Sequence, residues 1–112
     1  NQHTAGIINE DLLAMLPPHA VVINVARGKH VIDTDLISAL DSNKIRAATL
    51  DVFTQEPLDK KHSYWSHDKI TLTPHCAALS DINSVVKQIA TNVKRLICGE
   101  ELINKVDRAK GY

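Results

Sequence analysis

The 112 residues predict an α/β fold built on a mainly parallel sheet. Strand-like and helix-like segments alternate along the chain. The first strand candidate is an unbroken β-branched run rather than an alternating one, the form of a strand buried on both faces. In addition, each strand candidate is followed directly by a polar group able to do chemistry, and that is where open parallel sheets bind ligands.

Each element has its own signal. Asn9 is a good N-cap, and Glu10 to Leu16 is acidic at its start and strongly helix-forming until Pro17-Pro18 stops it. Ala20-Val21-Val22-Ile23-Asn24-Val25 is the first strand and ends at Ala26-Arg27-Gly28. Asp33 or Thr34 caps a second helix whose Leu36, Ile37, Ala39 and Leu40 fall at helical spacing until Asp41-Ser42-Asn43. Ala47 to Phe53 is the second strand, and Thr54-Gln55-Glu56-Pro57 closes it. Leu58 to Asp68 reads as a polar loop, and Ile70 to Thr73 as a third strand stopped by Pro74. From Asp81 to Cys98, apolar residues recur at i, i+3, i+4 and i+7, predicting a long amphipathic helix ended by Gly99, with a polar tail after it.

Composition narrows the function classes. With 44% hydrophobic and 23% charged residues the chain is an ordinary globular one, and thirteen basic residues against thirteen acidic leave no footprint for nucleic acid or an anionic membrane. No apolar run, Ala20 to Ile23 included, comes near the roughly 20 residues that span a bilayer. Two cysteines, Cys76 and Cys98, suit neither a disulfide scaffold nor a C-x-x-C motif, so a cytoplasmic setting is expected. His62, His67 and the His75-Cys76 pair fit no common zinc spacing; no metal is expected, and the other histidines read as solvated surface.

Three groups at the ends of neighbouring strands can converge in one crevice: Arg27, Glu56 and His75. An arginine fork grips a carboxylate through paired hydrogen bonds. A histidine beside a carboxylate has its tautomer fixed and its protonated form favoured, which makes a general acid. The trio has no nucleophile and no metal cage, so it points to reduction of a bound carbonyl by a hydride from a cofactor. Asp51, set among apolar neighbours, needs a partner, either within the chain or in that cofactor.

Val22-Ile23-Asn24-Val25-Ala26-Arg27-Gly28, Leu50-Asp51-Val52-Phe53 with Glu56-Pro57, and Thr73-Pro74-His75 resemble, in order and spacing, the C-terminal half of the NAD(P)-dependent D-2-hydroxyacid dehydrogenases. Gly6-Ile7-Ile8-Asn9, Leu40-Asp41-Ser42 and the ending Val106 to Tyr112 resemble the branch acting on glyoxylate and hydroxypyruvate. The resemblance implies the C-terminal half of a Rossmann-type NAD(P)-binding domain over residues 1–80, with residues 81–112 a helix and tail returning to a substrate domain. It implies that Arg27 binds substrate carboxylate and carbonyl, that His75 is the acid/base and that Glu56 is its partner. Asp51 would hold the nicotinamide carboxamide, Val25 and Ala26 would line the nicotinamide, and Ala77 and Ala78 would close the pocket. The implied cofactor is NADP, with NAD possible, and the implied partners are a 2-oxo or 2-hydroxy acid and a second subunit of a homodimer.

The sequence departs from the full family pattern in one respect. Its glycines, Gly6, Gly28, Gly99 and Gly111, form no G-x-G-x-x-G phosphate loop, so the chain is expected to be a fragment that neither binds cofactor nor turns over alone. Another dehydrogenase of the family, such as phosphoglycerate dehydrogenase, and a non-catalytic dinucleotide-sensing protein of the same fold are the alternatives.

Overall fold

A computed structural model of the chain describes residues 2–78 and 80–109. Asn1, Leu79 and the last three residues of the motif ending at Tyr112 lie outside them. Chain contacts divide the protein into two compact units, residues 2–77 and 78–112.

In the first unit the elements run α1 (Glu10–Ala14), β1 (Val21–Asn24), α2 (Asp33–Asp41), β2 (Ala47–Leu50) and β3 (Ile70–Leu72). The three strands form one sheet in the order β1-β2-β3, parallel throughout, with Asn24 level with Leu50 and Leu50 level with Leu72. All strands therefore end at the same sheet edge, where the next residues are the reactive ones.

Local chemistry trims each element relative to its sequence pattern. Asn9 caps α1 as expected, its side chain accepting from the Leu12 N–H at 3.0 Å, but the helix stops at Ala14 because Pro17 disfavours helical geometry just before it. β1 ends at Asn24, one residue early, because the Asn24 side chain takes over the next backbone groups: its amide donates to Arg27 O at 2.9 Å and its carbonyl accepts from Ala26 N at 3.1 Å. At the start of α2, Ile32 occupies the cap position and makes no side-chain bond. Of the two expected caps, Asp33 instead accepts from the Tyr64 hydroxyl at 2.8 Å and Thr34 donates to Asp35 at 3.2 Å.

One side of the sheet carries the core. Val22, Ala48 and Leu50 pack with Leu13, Leu36, Ala39, Leu40 and Ile45. The expectation of strands buried on both faces is corrected for β1: Val22 and Asn24 are buried while Val21 and Ile23 are exposed, Ile23 at 64%.

The segment read as a plain polar loop also departs from expectation. It makes a 3-10 turn at Ser63–Ser66 that buries Tyr64 in the core cluster. Burial and the bond to Asp33 push the Tyr64 phenol well above its ordinary pKa of 10.0. The two nearby histidines are not solvated bystanders. His62 caps the turn by accepting from Tyr64 N and lies 3.4 Å from Asp33, and His67 lies 3.2 Å from Asp41.

In the second unit, α3 (Ile82–Ile97) is capped by Asp81, which accepts from Ser84 N at 3.0 Å, and ends at Gly99 with φ +70°. Its stripe is as regular as the sequence pattern requires, yet no residue of α3 is buried. The tail turns back along the helix: Asn92 exchanges two hydrogen bonds with the Ile103 backbone, and Arg95 pairs with Glu100 at 3.3 Å.

Leu36 is fully buried at the centre of the first unit. Leu36→Ala is expected to cost about 2–5 kcal/mol, lost transfer energy plus the cavity left behind, read as a lowered urea midpoint at unchanged slope.

Candidate active site

His75 and Glu56 meet. The His75 imidazole Nδ1 lies 2.7 Å from Glu56 Oε2, in a side-chain pair about half exposed on the histidine side. Glu56 is itself aimed: its other oxygen accepts from the Phe53 N–H at 2.9 Å, across the turn that leaves β2. That N–H first, and the imidazole second, hold the Glu56 carboxyl below its ordinary range, so it is an anion at neutral pH. An anion only accepts, which places a proton on Nδ1 and directs Nε2 outward.

The backbone under His75 is unusual. Its φ is +51°, in the left-handed region that non-glycine residues rarely adopt, a cost on the order of 1–3 kcal/mol that persists only where the surroundings enforce it. Enforcement is visible on its N-terminal side. Thr73 N donates to Leu50 O at 3.0 Å, extending the sheet, and His75 N donates to Thr73 O at 3.1 Å.

Asp51 begins where β2 stops and is 1% exposed. Its Oδ1 accepts from the Thr73 hydroxyl and from Cys76 N at 2.9 Å, and its Oδ2 accepts from Ala77 N at 3.0 Å. The Thr73 bond, then the two backbone N–H groups, lower its pKa from 3.8 to about 2 against the opposing effect of burial. The sequence left its partner open between the chain and a nicotinamide; in the structure its partners are in the chain.

Arg27 stands at the same sheet edge on the far strand, two strand spacings or roughly 10 Å from the β3 end. It is exposed, and its guanidinium touches only the Ala26 carbonyl, at 2.6 Å. Among the described residues no carboxylate pairs with it, which leaves the fork available to an anion.

Gly28 fixes the spacing between the Arg27 loop and the β2 exit: a Cβ there would lie 1.9 Å from the Phe53 carbonyl carbon and 2.3 Å from Thr54 N. Asn24, Gly28 and Thr73 stand inside the motifs that carry the resemblance but were given no role of their own from sequence; Asn24 shows only as a polar residue inside an apolar strand run, Gly28 as a glycine directly after Arg27 and Thr73 as the first residue of Thr73-Pro74-His75.

Val25 is 52% exposed, and Ala26 and Ala77 are also exposed, so each of these small apolar side chains is accessible at or just beyond the edge where the strands end. Ala78 belongs to the second unit. No clustered glycines stand ready for a pyrophosphate, and no cluster of metal-ligating side chains occurs among the described residues. Beside His75, a cavity of about 640 Å³ is walled largely by Phe53, Leu58, Trp65 and Leu72.

Comparison with known proteins gives the chain's relatives. Residues 1–77 match the family model for the D-isomer specific 2-hydroxyacid dehydrogenase NAD binding domain. The chain is 46% identical over 109 residues to glyoxylate/hydroxypyruvate reductase A of Klebsiella pneumoniae, covering 97% of this chain and 35% of the relative. Among solved structures it is similar to a D-isomer specific 2-hydroxyacid dehydrogenase of Xanthobacter autotrophicus in complex with NADPH and MES, at TM-score 0.94 and 42% identity, over 100% of this chain and 46% of that one. It is also similar to the NADPH-dependent glyoxylate/hydroxypyruvate reductase of Sinorhizobium meliloti in complex with NADP and sulfate, at TM-score 0.91 and 33% identity, over 100% and 37%. The chain thus spans about a third of the length of the curated relatives it matches.

The depressed carboxylates carry a pH signature. Their contribution to stability is fully present above their unfolded pKa values and is lost as pH falls through the folded ones, for Asp51 between 3.8 and about 2. The urea midpoint is expected to hold from pH 7 to 5 and to fall below pH 4, with the Asp51 side-chain carboxyl carbon titrating near 2 in an NMR pH series. An Asp51 titration near 3.8 would contradict the hydrogen bonds assigned to it.

Proposed function

The chain belongs to the D-isomer specific 2-hydroxyacid dehydrogenase family, and on that footing we propose that it supplies the acid–base half of a site that reduces a 2-oxo acid, glyoxylate or hydroxypyruvate, to the 2-hydroxy acid. The observation that carries the proposal is the His75 Nδ1 to Glu56 Oε2 contact at 2.7 Å, with an unpaired Arg27 at the same sheet edge.

The residues divide the work by chemistry. Arg27 holds the substrate carboxylate through paired charge-assisted hydrogen bonds. Glu56 keeps the proton of its partner on Nδ1, so His75 presents Nε2–H to the carbonyl oxygen and gives up that proton as negative charge develops there. Val25, Ala26 and Ala77 are the apolar surfaces for a nicotinamide, with Ala78 proposed beside them; NADP is the cofactor, NAD the alternative, and when bound it supplies the hydride to C2. The carbonyl becomes a secondary alcohol, or for glyoxylate a primary one, and His75 is left neutral until solvent reprotonates it. In the reverse direction neutral His75 takes the proton. The pyrophosphate is assigned to residues outside these 112, which accords with the missing glycine loop and makes the chain half of a cofactor site. A cytoplasmic setting and a homodimeric enzyme complete the reading, supported by two exposed free thiols and by the family resemblance respectively.

The test grafts this chain in place of the matching 109 residues of the Klebsiella reductase. The chimera is expected to oxidise NADPH with glyoxylate, and His75→Ala to lower the rate on the order of 10²–10⁴-fold with NADPH binding retained. A chimera that binds NADPH and reduces glyoxylate equally well with His75→Ala would overturn the assignment.

A further inference from the structure

Asn24 is a polar residue in a row of core side chains. It follows Val22 on the buried side of β1 and is 4% exposed, a place where an apolar side chain needs no hydrogen-bond partners and an amide does. Its partners lie within the next three residues: Oδ1 accepts from Ala26 N at 3.1 Å, and the Nδ2 amide donates to Arg27 O at 2.9 Å. The Asn24 carbonyl accepts from Asp51 N at 3.0 Å, so the side chain reaches out from a point fixed to the central strand.

The two side-chain bonds bracket one peptide group, the Ala26–Arg27 link. The carbonyl of that link is where the Arg27 guanidinium rests, 2.6 Å from Nη1. Beyond Arg27 the loop is held by other means: Arg27 O also accepts from His30 N at 3.2 Å, and Gly28 lies against the Phe53 backbone. We propose that Asn24 is the positioning residue for Arg27: by fixing the Ala26–Arg27 peptide it sets where the guanidinium stands at the sheet edge, and so where a substrate carboxylate is held. A long, exposed side chain on a loose loop loses much rotamer freedom when it grips an anion, and one whose root and first contact are already fixed loses less. The inference rests on Arg27 being the carboxylate-binding residue, and its test separates the two ideas.

The experiment measures KM for glyoxylate and for NADPH in the chimera with Asn24→Ser, Arg27→Met and the two together. Serine keeps an oxygen able to accept from Ala26 N and loses the donor to Arg27 O. Asn24→Asp, which keeps the shape and sets an anion against the Arg27 carbonyl, carries the test if Asn24→Ser fails to fold. Either Asn24 variant is expected to raise KM for glyoxylate about tenfold to a hundredfold, the range a displaced binding group costs, with KM for NADPH unchanged. Arg27→Met is expected to raise it as well, and Asn24→Ser to add nothing further in that background, because a residue that acts through another is not additive with it. An Arg27→Met variant with unchanged KM for glyoxylate overturns the reading of Arg27 and leaves Asn24 nothing to position. A raised KM in Arg27→Met alone, Asn24 effects that add in full to it, or an equal rise in KM for NADPH overturns the inference and spares that reading. Hydrogen exchange in the wild-type chain needs no variant: the exposed Ala26 N–H is expected to be protected by Asn24, and exchange at the rate of an unfolded chain overturns the inference.

Discussion

Parallel pairing of β2 with both of its neighbours is the constraint on which the site depends. Because Asn24, Leu50 and Leu72 stand level, the chain leaves all three strands at one edge, and the next few residues of each are Arg27, Asp51 to Glu56, and His75. This register brings a guanidinium, a carboxylate and an imidazole from positions almost fifty residues apart to one edge of the sheet. The pairing also passes beyond the formal strand ends, through Asp51 N to Asn24 O at 3.0 Å and Thr73 N to Leu50 O at 3.0 Å, so the loops start from fixed points.

Above that frame the loops are held by polar groups rather than by packing. Asn24 bends the β1 exit, Glu56 bends the β2 exit through Phe53 N, and Asp51 ties down the β3 exit. Gly28 lets two of these loops lie closer than any side chain allows. Among the described residues no buried side-chain polar atom is left without a hydrogen bond, which is the condition for such a network to be rigid instead of costly. Preorganised groups of this kind need little rearrangement when charge develops on a substrate oxygen.

The strands, α2 and α3 were legible because their apolar patterns are local and their breakers, Pro17, Gly28, Pro74 and Gly99, are unambiguous. Arg27, Glu56 and His75 were legible because each follows a strand, in motifs whose order carries a family resemblance. What escaped was set by partners distant in sequence. Tyr64 is buried because Asp33, 31 residues away, receives its hydroxyl, and Thr73 matters because Asp51, 22 residues back, accepts from it. The exposed face of β1 escaped for the converse reason: an apolar pattern states that a face is suited to burial, not what covers it.

The central claim is that His75, paired with Glu56, moves the proton of the reaction. The measurement that addresses it most directly is the pH dependence of both directions in the chimera, hydroxypyruvate reduction and oxidation of the corresponding 2-hydroxy acid. The account predicts mirror-image profiles about one ionisation, reduction failing as pH rises and oxidation failing as it falls, because one direction needs the imidazole protonated and the other needs it neutral. Profiles that rise and fall together would contradict it.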